Sequence, residues 1–524
     1  MYRTAERRLA RLFNSGQQGL LAGGKIGLEK ECLRVTPQGN IAQTPHPPAL
    51  GAALTHPYIT TDYSEALTEL ITPPLTDVRE CLEFLRDAQK FVYANLRDEL
   101  LWSTSMPCVV AGETSIPIAY YGESNIGTMK SVYRRGLGHR YSRVMQVIAG
   151  AHFNYSLRAA FWPQFQEHER DRRPLAELIS DTYMGMTRNL QRFGWLIPYL
   201  FGASPAVCKS FMGGQPCPMP EFDVNTYYEP FGTSLRMSDI GYQNTKEAEC
   251  GIKASYDNLD AYVASLARAT ETPCAAYEQI GVVVDGEYRQ LNANVLQIEA
   301  EYYSSVRPRQ VLHGNEKPSL ALKQRGIAYV ELRSLDINAF DPLGLSEQQL
   351  RFLETFMLFC LLHESPRIDC REAREIDNNQ GAAARRGRDP GLELRCNGEA
   401  LALPVWAGEL LEAMSGIAEA LDADYPEQPY RNALAAAREA VQDPERTPSA
   451  RMLAEMRASG EGFFHYAMRK SLEHKDYFDA LALREERSHL FEAAAQASVH
   501  KQREIEAADT VPFDEYLRWY FAQA

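Results

Sequence analysis

The chain has 524 residues, 45% of them hydrophobic and 24% charged, a composition that excludes a disordered or fibrous protein and allows a large buried core. Its 55 basic and 69 acidic side chains leave a net charge of −14. That balance argues against a general binder of nucleic acid or anionic membrane, although a local basic pocket for phosphate fits within it.

The N-terminal stretch MYRTAERRLARLFNSG lacks the apolar centre of a secretion signal and reads as an amphipathic helix ended by Asn14-Ser15-Gly16. Alternating patterns predict strands at 26–35, 58–72, 147–157, 280–298 and 327–337, and helical spacing predicts helices at 77–100, 174–193 and 246–268. The most apolar run, Trp195 to Val207, is broken by Pro198 and Pro205 and is too short to cross a membrane. The Arg-rich piece at 382–391 reads as a solvated loop. From Ser346, an expected N-cap, the chain turns helical, with further helices at 405–422, 430–442, 449–457 and 483–507. A mixed α+β fold is expected, forming one unit with a sheet-containing core over 1–345 and a helix-rich part over 346–524 packed on it. The ten cysteines contain no Cys-x-x-Cys pair, and a reduced, cytosolic protein is expected.

Glu29 and Glu31 lie two apart on the first predicted strand, so their carboxylates share a face. Paired like charges repel unless a cation sits between them, and hard oxygen ligands suit a divalent ion such as Mg²⁺. The same construction recurs. His152, Asn154 and Ser156 share a face, as do Glu331 and Arg333, and Gln297, Glu299, Glu301 and Tyr303. Asp62, Glu65 and Glu69 follow in a segment where Asp62 points the other way unless a bend intervenes. Any one such strand is explained by a sheet with one solvated face. Five of them, with a histidine and an arginine among the acids, favour a face that holds metal ions against a polyphosphate. No Walker loop is present, because Gly23-Gly24-Lys25 lacks the spacing, and no G-x-G-x-x-G follows a strand.

Several segments resemble the proteobacterial glutamate–cysteine ligases. They include Gly27-Leu28-Glu29-Lys30-Glu31, Ile59-Thr60-Thr61-Asp62-Tyr63, Trp102-Ser103-Thr104-Ser105-Met106-Pro107-Cys108 and Tyr133-Arg134-Arg135-Gly136-Leu137. Arg192-Phe193-Gly194-Trp195, Thr233-Ser234-Leu235-Arg236 and Glu331-Leu332-Arg333-Ser334-Leu335-Asp336 follow in order, and the similarity continues to Asp509-Thr510.

The resemblance implies a glutamine synthetase-like curved antiparallel sheet forming a funnel. It implies ATP-dependent joining of L-glutamate to L-cysteine through γ-glutamyl phosphate, with Mg²⁺ or Mn²⁺ as cofactor, ATP as co-substrate and glutathione as feedback inhibitor. A cytoplasmic monomer is expected. By matching position, Glu29, Glu31, Asp62, Glu69, His152 and Glu331 are metal ligands, and Arg333 and Arg134 neutralise the transferred phosphoryl group. Arg236 grips a substrate carboxylate, while Tyr63, Tyr133, Leu137, Tyr242 and Tyr303 line the acceptor pocket. Phe is expected of the family at position 63, so the Tyr63 hydroxyl narrows or polarises that pocket. Two rival readings are a ligase for a different amine and a non-catalytic metal-binding protein.

Overall fold

A computed structural model describes residues 2–241 and 253–523. Its centre is a seven-stranded antiparallel sheet, flanked by helices, so the class is α+β. The strands are β1 (Lys25–Val35), β2 (Ile59–Thr61), β3 (Leu67–Ile71), β4 (Leu100–Leu101), β5 (Ala151–Ser156), β6 (Val306–Arg309) and β7 (Tyr329–Leu335). They run in the order β6-β7-β5-β1-β3-β2, with β4 paired to the end of β1. Register places Glu31 opposite Glu69, Glu29 opposite His152, and Glu331 opposite Asn154.

Alternation then sorts the side chains. Ile26, Leu28, Phe153, Tyr155, Val330 and Leu332 are buried on one face. Against this face pack α2 (Val78–Asn95), the helix Leu175–Arg192, and behind them the helix Glu347–Leu362. The last is buried almost all round, with an apolar run from Phe356 to Leu362, and Ser346 caps it by accepting from the Gln349 amide at 3.2 Å. Lys30, on the packed face, is satisfied by the Gln89 side chain of α2 at 2.7 Å. The amphipathic helix α1 (Arg3–Asn14) forms as expected and joins the same core through Ala5 and Leu12.

Four expectations are corrected. The alternation over 280–303 is not a long strand. Two short strands, Val283–Val284 and Glu287–Tyr288, flank an Asp285-Gly286 turn with both φ positive, and Glu299–Glu301 is a tight 3₁₀ turn. Glu299 and Glu301 are drawn away from the sheet, by the Ser319 amide at 2.7 Å and the Arg140 guanidinium at 2.7 Å respectively. The Arg-rich stretch at 382–391 is not a solvated loop. The helix Cys370–Arg386 runs through its first half, and buried Arg388 donates to the Pro230 carbonyl at 2.8 Å. The helix expected at 246–268 is Leu259–Glu271, capped by Asn258, and the stretch before 253 lies outside the described residues. The cysteines are not all reduced, since Cys108 and Cys208 form a disulfide.

Several helices escaped the sequence reading, among them Phe161–Glu169, Phe463–Ala480, Phe513–Ala522 and the one that meets the site. In α3 (Asn125–Tyr141), Gly127, Gly136 and Gly138 interrupt any amphipathic pattern, yet Ser124 caps its start at the Gly127 amide. At Gly136 a Cβ would collide with the Gln297 amide, so only glycine lets the helix approach that segment.

The helix Glu347–Leu362 also carries Glu354, fully enclosed, which accepts from the Tyr430 hydroxyl at 2.6 Å. Burial pushes its pKa up to about 7, against the opposing pull of Tyr430 and Arg351. A raised carboxyl binds its proton more tightly folded than unfolded, so its contribution to stability falls as pH rises from the ordinary carboxyl range to about 7, and is level above. Relative to the parent, Glu354→Gln therefore gains on the order of 3 kcal/mol between pH 4 and 8, read from denaturant unfolding across that range. Parallel curves for the two proteins sink this.

Candidate active site

The opposite face of the sheet holds the polar residues. His152 lies at their centre: its Nδ1 is 2.8 Å from Glu29 Oε2 and 3.4 Å from Glu331 Oε1, and its Nε2 is 3.7 Å from Glu31 Oε1. Glu29, His152 and Glu331 each offer one atom, all within 4.8 Å of one another, an arrangement that fits a divalent ion. Asn154 donates to Glu29 Oε1 at 2.9 Å, and its own Oδ1 is buried without a hydrogen-bond partner among the described residues.

Arginines surround the innermost acid. Glu331 accepts from Arg309 Nε at 2.6 Å and from Arg333 Nη1 at 2.7 Å. Burial works to raise the Glu331 carboxyl, but the two guanidiniums and His152 outweigh it and hold it well below the ordinary range. In Glu29 burial is likewise outweighed, chiefly by the His152 hydrogen bond, and its pKa is lowered. Glu31 and Glu69 go the other way. Burial and the neighbouring Asp62 raise Glu31, while burial, Glu29, Asp62 and Glu31 push Glu69 well up. This half of the cluster carries more negative charge than its own arginines neutralise.

Asp62 joins the cluster through a turn rather than through strand alternation. Its amide donates to the Leu67 carbonyl at 2.9 Å, closing the link between β2 and β3. The bend brings Asp62 to the polar side. It turns Glu65 away, to the His46 and Tyr120 amides at 2.6 Å each.

Beside the acids lies a cavity of about 110 Å³. Glu31, Asp62, Tyr63, Tyr133, Arg134, Leu137, His152, Arg236, Tyr303 and Arg333, all singled out from the sequence, line it. Glu29 and Glu331 lie beneath His152, and Glu69 lies across from Glu31. Tyr242 lies outside the described residues. Helix α3 supplies Tyr133, Arg134 and Leu137 at successive positions of its cavity-facing side. Arg236 is 2% exposed, donates to the Arg333 carbonyl at 2.9 Å and keeps a buried Nε without a partner among the described residues. Gly150 makes room for it, since a Cβ there would strike the guanidinium.

The structure adds residues that the sequence reading passed over, Tyr141, Met145, Gln146, Ala300 and Arg307, and Glu301, read from the sequence as a strand residue, reaches the same lining from its 3₁₀ turn. Arg307 and Arg309 were legible, because Arg307-Pro308-Arg309 repeats the two-apart spacing of Glu29 and Glu31, and proline is at home on the edge strand β6. A second cavity of about 350 Å³ shares Ala300 and Arg307 with the first and has an apolar wall including Tyr262, Leu266, Leu322 and Tyr329. Arg307 therefore stands at the junction, its pKa lowered to about 10 by burial and by Arg333 and Arg309.

The comparisons with known proteins agree with this geometry. Residues 9–383 match the family model described as glutamate-cysteine ligase. A protein named glutamate–cysteine ligase from Alcanivorax borkumensis is 47% identical over 521 residues, covering 98% of this chain and 99% of that protein. Another of that name, from Azotobacter vinelandii, is 48% identical over 519 residues, with 98% of each chain covered. The crystal structure of glutamate–cysteine ligase from Francisella tularensis in complex with AMP superposes with a TM-score of 0.89 at 34% identity, over 95% of this chain and 98% of that one. On this sequence and structural agreement, the chain belongs to the glutamate–cysteine ligase family.

Proposed function

We propose that this site joins the γ-carboxylate of L-glutamate to the amine of L-cysteine at the expense of ATP, the first step of glutathione synthesis. One observation carries the reading: an acid–histidine–arginine cluster on one sheet face adjoins two cavities that meet at Arg307.

The chemistry needs such a cluster. A carboxylate resists attack by an amine, because oxide is too poor a leaving group. In the first step a γ-carboxylate oxygen bonds to the terminal phosphorus of ATP, and the bond to the bridging oxygen breaks with its electron pair leaving on ADP. The cysteine amine then attacks the acyl carbon, the bond to phosphate breaks, and the nitrogen sheds a proton.

The first cavity suits the amino acids. Arg236 offers unused donors to a carboxylate, and Tyr63, Tyr133, Leu137 and Tyr303 form a small, mostly apolar wall for a thiol side chain. The second suits the nucleoside, with aromatic and aliphatic side chains for the base and Arg307 at the threshold for the phosphates. Glu29, Glu31, Asp62, Glu69, His152 and Glu331 would hold divalent ions, Mg²⁺ or Mn²⁺, which shield a triphosphate from an anionic acceptor. Arg333, with Arg134, neutralises the transferred phosphoryl group. Glutathione shares the γ-glutamyl and cysteinyl parts of the product, so it is expected to compete in the first cavity as a feedback inhibitor.

ADP release with ATP, Mg²⁺ and glutamate should rise on adding cysteine and rise less with 2-aminobutyrate. If cysteine releases no more ADP than glutamate alone, the assignment fails, and preference for another amine would favour the rival ligase. Glu331→Gln should lower turnover roughly a hundredfold or more, because it removes the carboxylate that both Arg309 and Arg333 grip. Mg²⁺ should raise the melting temperature of the parent, and Glu29→Gln should abolish most of that shift. An equal shift in both proteins would remove Glu29 from the ion site.

A further inference from the structure

Lys130 lies one helical turn before Arg134 on α3, so the two side chains share a face. Both rest against the ring of Tyr121. The Lys130 ammonium is 5.1 Å from the ring centroid and the Arg134 guanidinium carbon 4.5 Å. Like charges at this spacing repel, and the fold offers them no relief of the usual kind. Arg134 donates to two carbonyls, those of Asp62 and of Lys130 itself. Among the described residues, no carboxylate oxygen comes within ion-pairing distance of either cation.

Acids are nonetheless close at hand. The Tyr121 hydroxyl donates to the carbonyls of Thr61 and Asp62 at 2.7 and 2.9 Å, which ties the ring to the turn that delivers Asp62. Glu69 is near enough for its charge to act on Lys130, against the opposing effects of burial and Arg134. Two cations thus stand beside an over-acidic cluster without collapsing onto it. That separation suits a multiply charged anion, bound between chelating carboxylates on one side and cations on the other.

We propose that Lys130 is a third phosphate-binding cation of this site, joining Arg134 and Arg333 on the oxygens of the phosphoryl group in transit from ATP. The assignment to the reacting phosphoryl rests on the ligase reading above. As the glutamate oxygen bonds to phosphorus and the electron pair departs on ADP, charge spreads over three equatorial oxygens. Carboxylates cannot meet those oxygens directly, whereas an ammonium and a guanidinium can.

The test uses the full-length protein and sodium tripolyphosphate with Mg²⁺, titrated calorimetrically. Lys130→Met and Lys130→Gln should bind it roughly tenfold more weakly than the parent, the loss of one charge-assisted contact, while Lys130→Arg keeps most of the affinity. Affinity for L-glutamate should be unchanged in all three. Lys130→Gln keeps a polar head against Tyr121 and decides the matter should Lys130→Met fail to fold. If tripolyphosphate binds these variants as tightly as the parent, Lys130 is only a brace on Tyr121, whatever happens to the melting temperature. A parent that makes no γ-glutamylcysteine while the tripolyphosphate contrast persists would remove the ligase reading and leave the phosphate contact standing.

Discussion

The constraint on which the structure depends is the mutual repulsion of carboxylates held together on one face of a sheet. Glu31 faces Glu69 across two strands, and Glu29 and Glu331 converge on His152. Like charges directly opposite in a sheet are destabilising, and burial makes them more so. The protein answers this only in part. Arg309 and Arg333 neutralise Glu331, which stays ionised, while Glu31 and Glu69 are left with raised proton affinities. A cluster neutralised at one end and over-acidic at the other is poised for cations and for the anion they bring.

Holding such a cluster requires a rigid back. A one-residue slip in β1 would send Glu29 and Glu31 into the core and Leu28 and Lys30 into the site. Register is protected because Leu28, Phe153 and Leu332 form a continuous packed face, closed behind by the almost wholly buried helix Glu347–Leu362. The front is built differently. There α3 crosses with three glycines, trading intrinsic helix stability for close approach to Gln297, and it presents Tyr133, Arg134 and Leu137 to the cavity, with Lys130 one turn earlier within reach of the charge of Glu69.

The same rule of alternation succeeded and failed within one chain. It placed Glu29 with Glu31 and Glu331 with Arg333, because the residues between them belong to the packed face, Leu332 in the core and Lys30 held by the Gln89 side chain. It put Glu299 and Glu301 on a strand, whereas their carboxylates are claimed by Ser319, 20 residues on, and by Arg140, 161 residues back. Those partners break the segment into a 3₁₀ turn, and nothing in the local pattern announces them. For Asp62 alternation leaves the face open to a bend, and only the hydrogen bond from its amide to the Leu67 carbonyl reveals that the chain does fold back there. Arg307 and Arg309 carried a readable spacing that went unread.

The sequence by itself determined the chemistry: which strands carry acids, that histidine and arginine lie among them, and, through ordered motifs along the chain, the family. Those features are local, and a side chain's face on a strand follows from its parity. Tertiary structure decided which of these faces meet. It set His152 between three carboxylates, brought the disulfide partners Cys108 and Cys208 together across 100 residues, and joined two cavities at Arg307. Such meetings depend on register and on packing between distant segments, and no short window of sequence contains both partners.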